Sequence, residues 1–389
     1  MRHSKDRRPQ GRLATFDELA SFIHIAIVNS ISAIAAPTSL LLRLKNVAAS
    51  AGVVALACAT YRLIPNHRQQ LEALYGSTTF SFTGVEYLYW SAVCYMGSLA
   101  LLYLFERDPG VSKSLRSLWV VAAFIRSPVQ HWRQGPSRTD RVAVLTTLLK
   151  AFFGPMMAMS LMIFCVHAIE NGAAIVASGD LSAGFIVLFD RHGYWFLLQL
   201  ILFVDVLVFT VGYLVEMPRL HNEIRSVDPT FVGWAAALVC YPPFNTLTGA
   251  ILGSPVSDFP KFDDPTVHVS LNLALLALMA IYASASVALG FKGSNLTHRG
   301  IVSRGPYAVI RHPAYTCKNL AWWIGATPLV LVAFEQSSWN GMLAVGSVAG
   351  WSSIYILRAL TEEDHLRRVD GEYCAYAARV RYRFIPGFI

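Results

Sequence analysis

The sequence has 389 residues, 54% of them hydrophobic and 14% charged, with a net charge of +8 and a mean hydropathy of +0.46. A soluble globular protein carries about 25% charged residues, so this composition excludes a chain whose surface mostly meets water. It implies instead an all-α, polytopic transmembrane helical bundle, because helices satisfy their own backbone groups in lipid. The basic excess sits mainly in connecting stretches and at the two ends, as the positive-inside rule expects of cytoplasmic faces. No nucleic-acid partner is expected from that distribution.

In chain order, residues 2–12 are strongly basic, and no cleavable signal peptide is expected after them, because the apolar stretch that follows lacks a clear small-residue cleavage site. A spanning helix needs about 20 mostly apolar residues. Weak spans are expected at 19–42 and 47–63, separated by Arg43 and Lys45. Strong spans are expected at 84–105, 151–177, 193–215, 267–290 and 339–360, with a further one at 319–334. The total is about seven to eight membrane segments.

Residues 106–150 read as a long basic loop, carrying Arg107, Lys113, Arg116, Arg126, Arg133, Arg138, Arg141 and Lys150. That places the loop in the cytoplasm. Counting forward, 178–192 and 253–266 are external, while 216–230, 291–317 and the C-terminal tail are internal. The orientation of the chain before residue 84 stays open at this level.

The stretch 231–252 contains Pro242 and Pro243 and reads as a broken helix. Broken backbone at membrane depth is tolerated where it lines a wet cavity or is buried in protein. Tyr241, Phe244 and Asn245 are therefore candidate substrate-binding residues, with a plain kink as the other reading. Asp205 lies in the middle of an apolar span; it is either part of the substrate site or an acid that binds helices together. His167, Glu170 and Asn171 share one helix face near the outer end of their span and read as a solvated interface. The six cysteines contain no CxxC pair and read as buried small side chains, with no disulfide framework and no metal site.

The most informative text lies after Gly290. Gly305-Pro306 and His312-Pro313 are turn-forming pairs that hold Arg311 and His312 in a loop flanked by Tyr307 and Tyr315. An arginine grips a carboxylate with two parallel hydrogen bonds, and an aromatic ring stacks on a base or faces a cation. After a helical hairpin, Glu362, Glu363 and Asp364 cluster on the basic side, where acids are unusual. They suit an ammonium group, or equally a local ion pair with Arg367 or Arg368.

The string GPYAVIRHPAY, followed by TEEDHLRRVDGEYCAYAARVRYRFIPGF, resembles the isoprenylcysteine carboxyl methyltransferase and phospholipid methyltransferase family. Arg311, His312, Pro313, Tyr315, Glu362, Glu363, Gly371, Tyr373, Tyr376, Arg383, Phe384, Ile385 and Pro386 carry the likeness. It covers about 100 residues. The chain departs from the pattern at Cys317, where a glycine is common, and in its long N-terminal region.

The resemblance implies a catalytic domain over 266–389, with 1–265 as an N-terminal transmembrane region without a recognised motif. It also implies S-adenosylmethionine as cofactor, and a C-terminal cytoplasmic helix capping the cofactor site. Tyr307, Arg311, His312, Pro313, Tyr315, Glu362 and Glu363 would bind the cofactor from the cytoplasmic side, with Arg311 and Glu363 catalytic. The acceptor would be lipophilic, either a carboxylate of the prenylcysteine kind or a lipid amine, for which Glu363 or His365 is the candidate base. Membrane sterol reductases, which use NADPH, have a similar ending, and Tyr382, Arg383 and Pro386 fit that pattern too. A non-catalytic transporter or scaffold is the third reading. Oligomeric state is not legible.

Overall fold

The computed structural model describes residues 37–76, 81–106, 110–178, 184–217, 220–253 and 256–388. The chain forms a helical bundle with almost no sheet. Among the described residues its helices of seven residues or more are α1 Pro37–Leu63, α2 Gly84–Phe105, α3 Lys113–Arg126, α4 Pro128–Gln134, α5 Arg138–Ser178, α6 Tyr194–Leu214, α7 Phe231–Leu238, α8 Phe244–Leu252, α9 Pro265–Leu289, α10 Pro313–Gln336, α11 Ser338–Val369 and α12 Glu372–Arg379. Among the described residues, seven helical segments are long and apolar enough to cross a membrane. They are built on α1, α2, α5, α6, α9, α10 and α11.

Two expectations are corrected. Arg43 and Lys45 do not divide two spans: they lie inside α1. The Arg43 guanidinium is buried and donates to the carbonyl oxygens of Tyr103 (3.2 Å), Leu104 (2.7 Å) and Glu106 (2.5 Å), at the C-terminal end of α2. Those carbonyls have no partner within their own helix, so the charge and the helix end satisfy each other. The contact also orients α1 relative to α2, since the start of α1 lies beside the end of α2. Most of the expected 19–42 span lies outside the described residues, as does the basic stretch 2–12.

The stretch 106–150 is likewise not a long loop. It folds into α3, α4 and the first turns of α5, a helix of 41 residues. Its basic residues from Lys113 to Lys150 sit along helices instead of interrupting them, and Arg107 lies outside the described residues.

The bundle has two chemically distinct ends. At the basic end, Lys150 Nζ lies 3.1 Å from Glu216 Oε2, Lys113 pairs with the same carboxylate, and Ser226–Val227 forms a two-residue ladder with Thr297–His298. Gly212 lets α6 approach the 291–293 turn at this end; a methyl group there would collide with the Gly293 carbonyl oxygen. At the opposite end, Asp190 holds His268 (3.0 Å) and Lys261 (3.3 Å), and Asp264 caps α9. Asn171 bonds back to the His167 carbonyl and Glu170 is exposed, also at this end. The stretches expected to share a side therefore do share an end.

Between the ends, 231–252 is broken as expected, into α7 and α8 around Pro242–Pro243. Helices α10 and α11 form the expected hairpin, turning at Ser337, whose hydroxyl caps α11.

Candidate functional site

The C-terminal motif forms a knot of ion pairs behind a cavity. At its centre is Glu363, 1% exposed. Arg311 Nε lies 2.9 Å from Glu363 Oε1, His312 Nε2 3.2 Å from the same oxygen, Arg367 Nη2 2.9 Å from Oε2, and Arg383 Nε 3.2 Å from Oε2. The guanidinium of Arg311 also donates to the carbonyls of Ala377 and Val380. The backbone closes the same knot: Arg311 N donates to the Tyr382 carbonyl at 3.0 Å and His312 N to the Arg383 carbonyl at 2.9 Å. One carboxylate thus fastens the 311–312 loop, α11 and the tail together. A buried charge persists where it is paired in this way.

Arg311, Pro313 and Glu363 were expected to face a ligand. None of the three borders the cavity. Arg311 and Glu363 neutralise one another, and Pro313 is buried at the first turn of α10. Tyr382 and Arg383 are likewise engaged in the knot, away from the cavity.

The cavity holds about 1020 Å³ of empty space, its open mouth included. Four of the expected cofactor residues border it: Tyr307, His312, Tyr315 and Glu362. The His312 ring stacks on Tyr315 with centroids 5.6 Å apart and planes 4° apart, and the Tyr315 hydroxyl donates to Glu362 Oε2 at 3.1 Å. Glu362 is exposed at the mouth. Tyr307 is half-buried; desolvation of its phenol, and then the neighbouring Glu362, push it well above the ordinary value.

Of the proposed substrate residues, only Tyr241 borders the cavity. Phe244 is 45% exposed and packs toward Phe152, and Asn245, in the first turn of α8, does not border the cavity. Asp205 lies one layer back. It accepts hydrogen bonds from Tyr282 at 3.0 Å and from Ser286, and both of those side chains border the cavity. Asp205 thus acts here as the buried helix-binding acid, joining α6 to α9. The cavity takes its walls from both sides of residue 265: Phe209, Asp228 and Tyr241 from before it, and α9, α10 and α11 after it.

The sequence reading missed two cations. Arg358, on α11, is buried and donates to Asn295 Oδ1 at 2.8 Å; its guanidinium carbon lies 5.1 Å from the Tyr355 ring centre and 5.2 Å from that of Tyr315. Lys318, on α10, has its ammonium 5.3 Å from the Trp322 ring and 5.6 Å from that of Tyr355. Both border the cavity. Among the described residues neither forms an ion pair. Aromatic faces stabilise such charges in part. The available signal was their depth: a basic residue inside a span is a site candidate by default.

Asp228 and His365, both buried, complete the lining. His365 Nε2 lies 3.0 Å from Ser226 Oγ. Nearby, His298 pairs with Asp370 at 2.8 Å; burial pushes the His298 ring toward its neutral form, and Asp370 only partly offsets this. The cavity is therefore polarised, with two cations outside any ion pair among tyrosines on α10 and α11, Glu362 exposed at the mouth, and Asp228 buried in the wall, where it accepts from Thr230.

Comparison with protein families, with characterised proteins and with solved structures finds no match to this chain.

Proposed function

We propose that this protein is an integral membrane S-adenosylmethionine-dependent methyltransferase acting on a lipophilic acceptor. The observation that carries the reading is the meeting of Tyr307, His312, Tyr315 and Glu362 in one cavity with two unpaired cations. The likeness of the C-terminal motif to the isoprenylcysteine carboxyl methyltransferase family supplies the reaction class.

The side chains fit the cofactor's chemistry. Glu362, already accepting from Tyr315, suits an ammonium group. Neither Arg358 nor Lys318 has an anion within ion-pair distance, the Asp205 carboxylate acting on Lys318 only from further off, and an amino-acid cofactor with an acidic acceptor would bring two carboxylates. The tyrosine faces suit an adenine ring. When bound, S-adenosylmethionine supplies an electrophilic methyl group.

The chain's own work is orientation and exclusion of water. Holding two reactants in line makes their encounter nearly unimolecular. An acidic acceptor is already ionised at neutral pH, so its oxygen needs no base, and Arg358 or Lys318 would hold it in place. For an amine acceptor, His365 borders the cavity and is the candidate base, whereas Glu363 is consumed by its ion pairs. The two cations favour the acidic acceptor. In this reading the basic end faces the cytoplasm, by the positive-inside rule, and admits the cofactor. The acceptor arrives sideways from the bilayer.

The same two cations also suit the phosphates of NADPH, which sustains a membrane reductase as the second reading. Thermal melting of the detergent-purified protein separates them. Stabilisation by S-adenosylhomocysteine and indifference to NADPH are expected. Stabilisation by NADPH alone would favour the reductase, and no response to either would favour a transporter or scaffold.

A further inference from the structure

Helix α3 is turned the wrong way round for water. Its inward face is partly polar: Ser117 Oγ lies 2.8 Å from Thr147 Oγ1 on α5, Arg116 Nη1 lies 3.3 Å from Asp140, and Lys113 pairs with Glu216. Its outward face is apolar, with Trp119 48% and Ile125 70% exposed, joined by Phe124. Helix α4 continues the strip with Val129 68% and Trp132 82% exposed. A helix in water would show the reverse arrangement.

Neither helix can cross a bilayer. They have 14 and 7 residues, against the roughly 20 that a span requires. Both lie at the basic end, where Lys113 meets Glu216. Tryptophan is enriched at headgroup depth, where its ring is half in hydrocarbon. The charges beside the strip have one sign. Residues 110–139 contain no Asp or Glu, and Arg126, Arg133 and Arg138 are exposed.

We infer that residues 113–138 form an in-plane interfacial segment that binds anionic phospholipid headgroups. Trp119, Ile125, Val129 and Trp132 sink into the outer hydrocarbon, and Arg126, Arg133 and Arg138 meet the phosphates above them. Buried apolar area and electrostatic attraction to anionic lipid are the two contributions that hold such segments. The strip is separate from the cavity, so the inference does not depend on the reaction proposed above.

The test uses the full-length protein in nanodiscs of phosphatidylcholine with a fixed fraction of brominated lipid, which quenches tryptophan on contact. The variant Trp119→Phe/Trp132→Phe identifies the part of the signal that belongs to the strip. That part should be quenched more by brominated phosphatidylglycerol than by brominated phosphatidylcholine at equal mole fraction. A preference of about fivefold per engaged arginine is expected, the ratio equivalent to about 1 kcal/mol per basic residue near an anionic surface. Arg126→Gln/Arg133→Gln/Arg138→Gln should abolish the preference while keeping the quenching. Absence of quenching from the two tryptophans, equal quenching by both lipids, or a preference that survives the triple variant would each overturn the inference. So would a stable dimer that Ile125→Glu/Trp132→Glu dissociates, since a second copy would then cover the strip.

Discussion

Arg311 Nε sits 2.9 Å from Glu363 Oε1, with both side chains turned away from the cavity that their neighbours His312 and Glu362 border. Glu363 holds the fold while Glu362 borders the cavity, and His312 does both, reaching Glu363 at 3.2 Å and stacking on Tyr315 at the cavity wall. Different substitutions should therefore fail in different ways.

Glu363→Gln should act on stability. Removing one partner of a buried ion pair costs about 3–5 kcal/mol, and here one carboxylate serves three arginines and a histidine. The expected result is a markedly lower melting temperature and faster proteolysis of the tail after residue 370. An unchanged melting temperature would show that the knot contributes little.

Glu362→Gln should act on binding. Hydrogen bonds to charged groups contribute about 1.5–3 kcal/mol, so affinity for S-adenosylmethionine should fall roughly ten- to a hundredfold, with the melting temperature of the ligand-free protein nearly unchanged. Titration of the folded variant measures this, and full affinity would remove Glu362 from the site.

Much of the fold was legible because apolar runs of span length name themselves. The stretches 84–105, 193–215 and 267–290 all became helices of nearly those bounds. The failures share one cause. Positive charges were read as breaks, at Arg43 and across 106–150, although a guanidinium bonded to a helix end, or lysines paired with Glu216, leave a helix intact. For the site, the motif named the right neighbourhood. It did not separate Glu362 from Glu363, because successive helical residues point about 100° apart and only packing decides which one faces inward. Arg358 was legible in principle, one turn before Glu362 in an apolar helix.

Asp205→Asn should fold and retain turnover within severalfold. The amide oxygen still accepts one of the two hydroxyl hydrogen bonds, from Tyr282 or Ser286, and losing the other costs about 1–2 kcal/mol. A well-folded Asn variant with turnover reduced a hundredfold would move Asp205 into the chemistry.

Acid should loosen the basic end through Glu216. Burial pushes this carboxyl up, but Lys150 and Lys113 more than offset it and hold it down to about 2, from an ordinary 4.5. A carboxyl depressed in the folded state contributes stability that is complete above its unfolded value and lost as pH falls through the folded one. The loss should therefore run from about pH 4.5 down to about 2 and reach about 3 kcal/mol. The difference in melting temperature between the wild type and Glu216→Gln should shrink over that range. A constant difference would contradict the assignment.

The central claim, that the cavity binds S-adenosylmethionine, is tested most directly by equilibrium binding of the radiolabelled cofactor to detergent-purified protein, wild type and Arg358→Gln, with NADPH in parallel. Saturable binding of one S-adenosylmethionine per chain, displacement by S-adenosylhomocysteine, at least tenfold weaker binding in Arg358→Gln, and no binding of NADPH are expected. Saturable binding of NADPH with none of S-adenosylmethionine, or binding indifferent to Arg358→Gln, would contradict the claim.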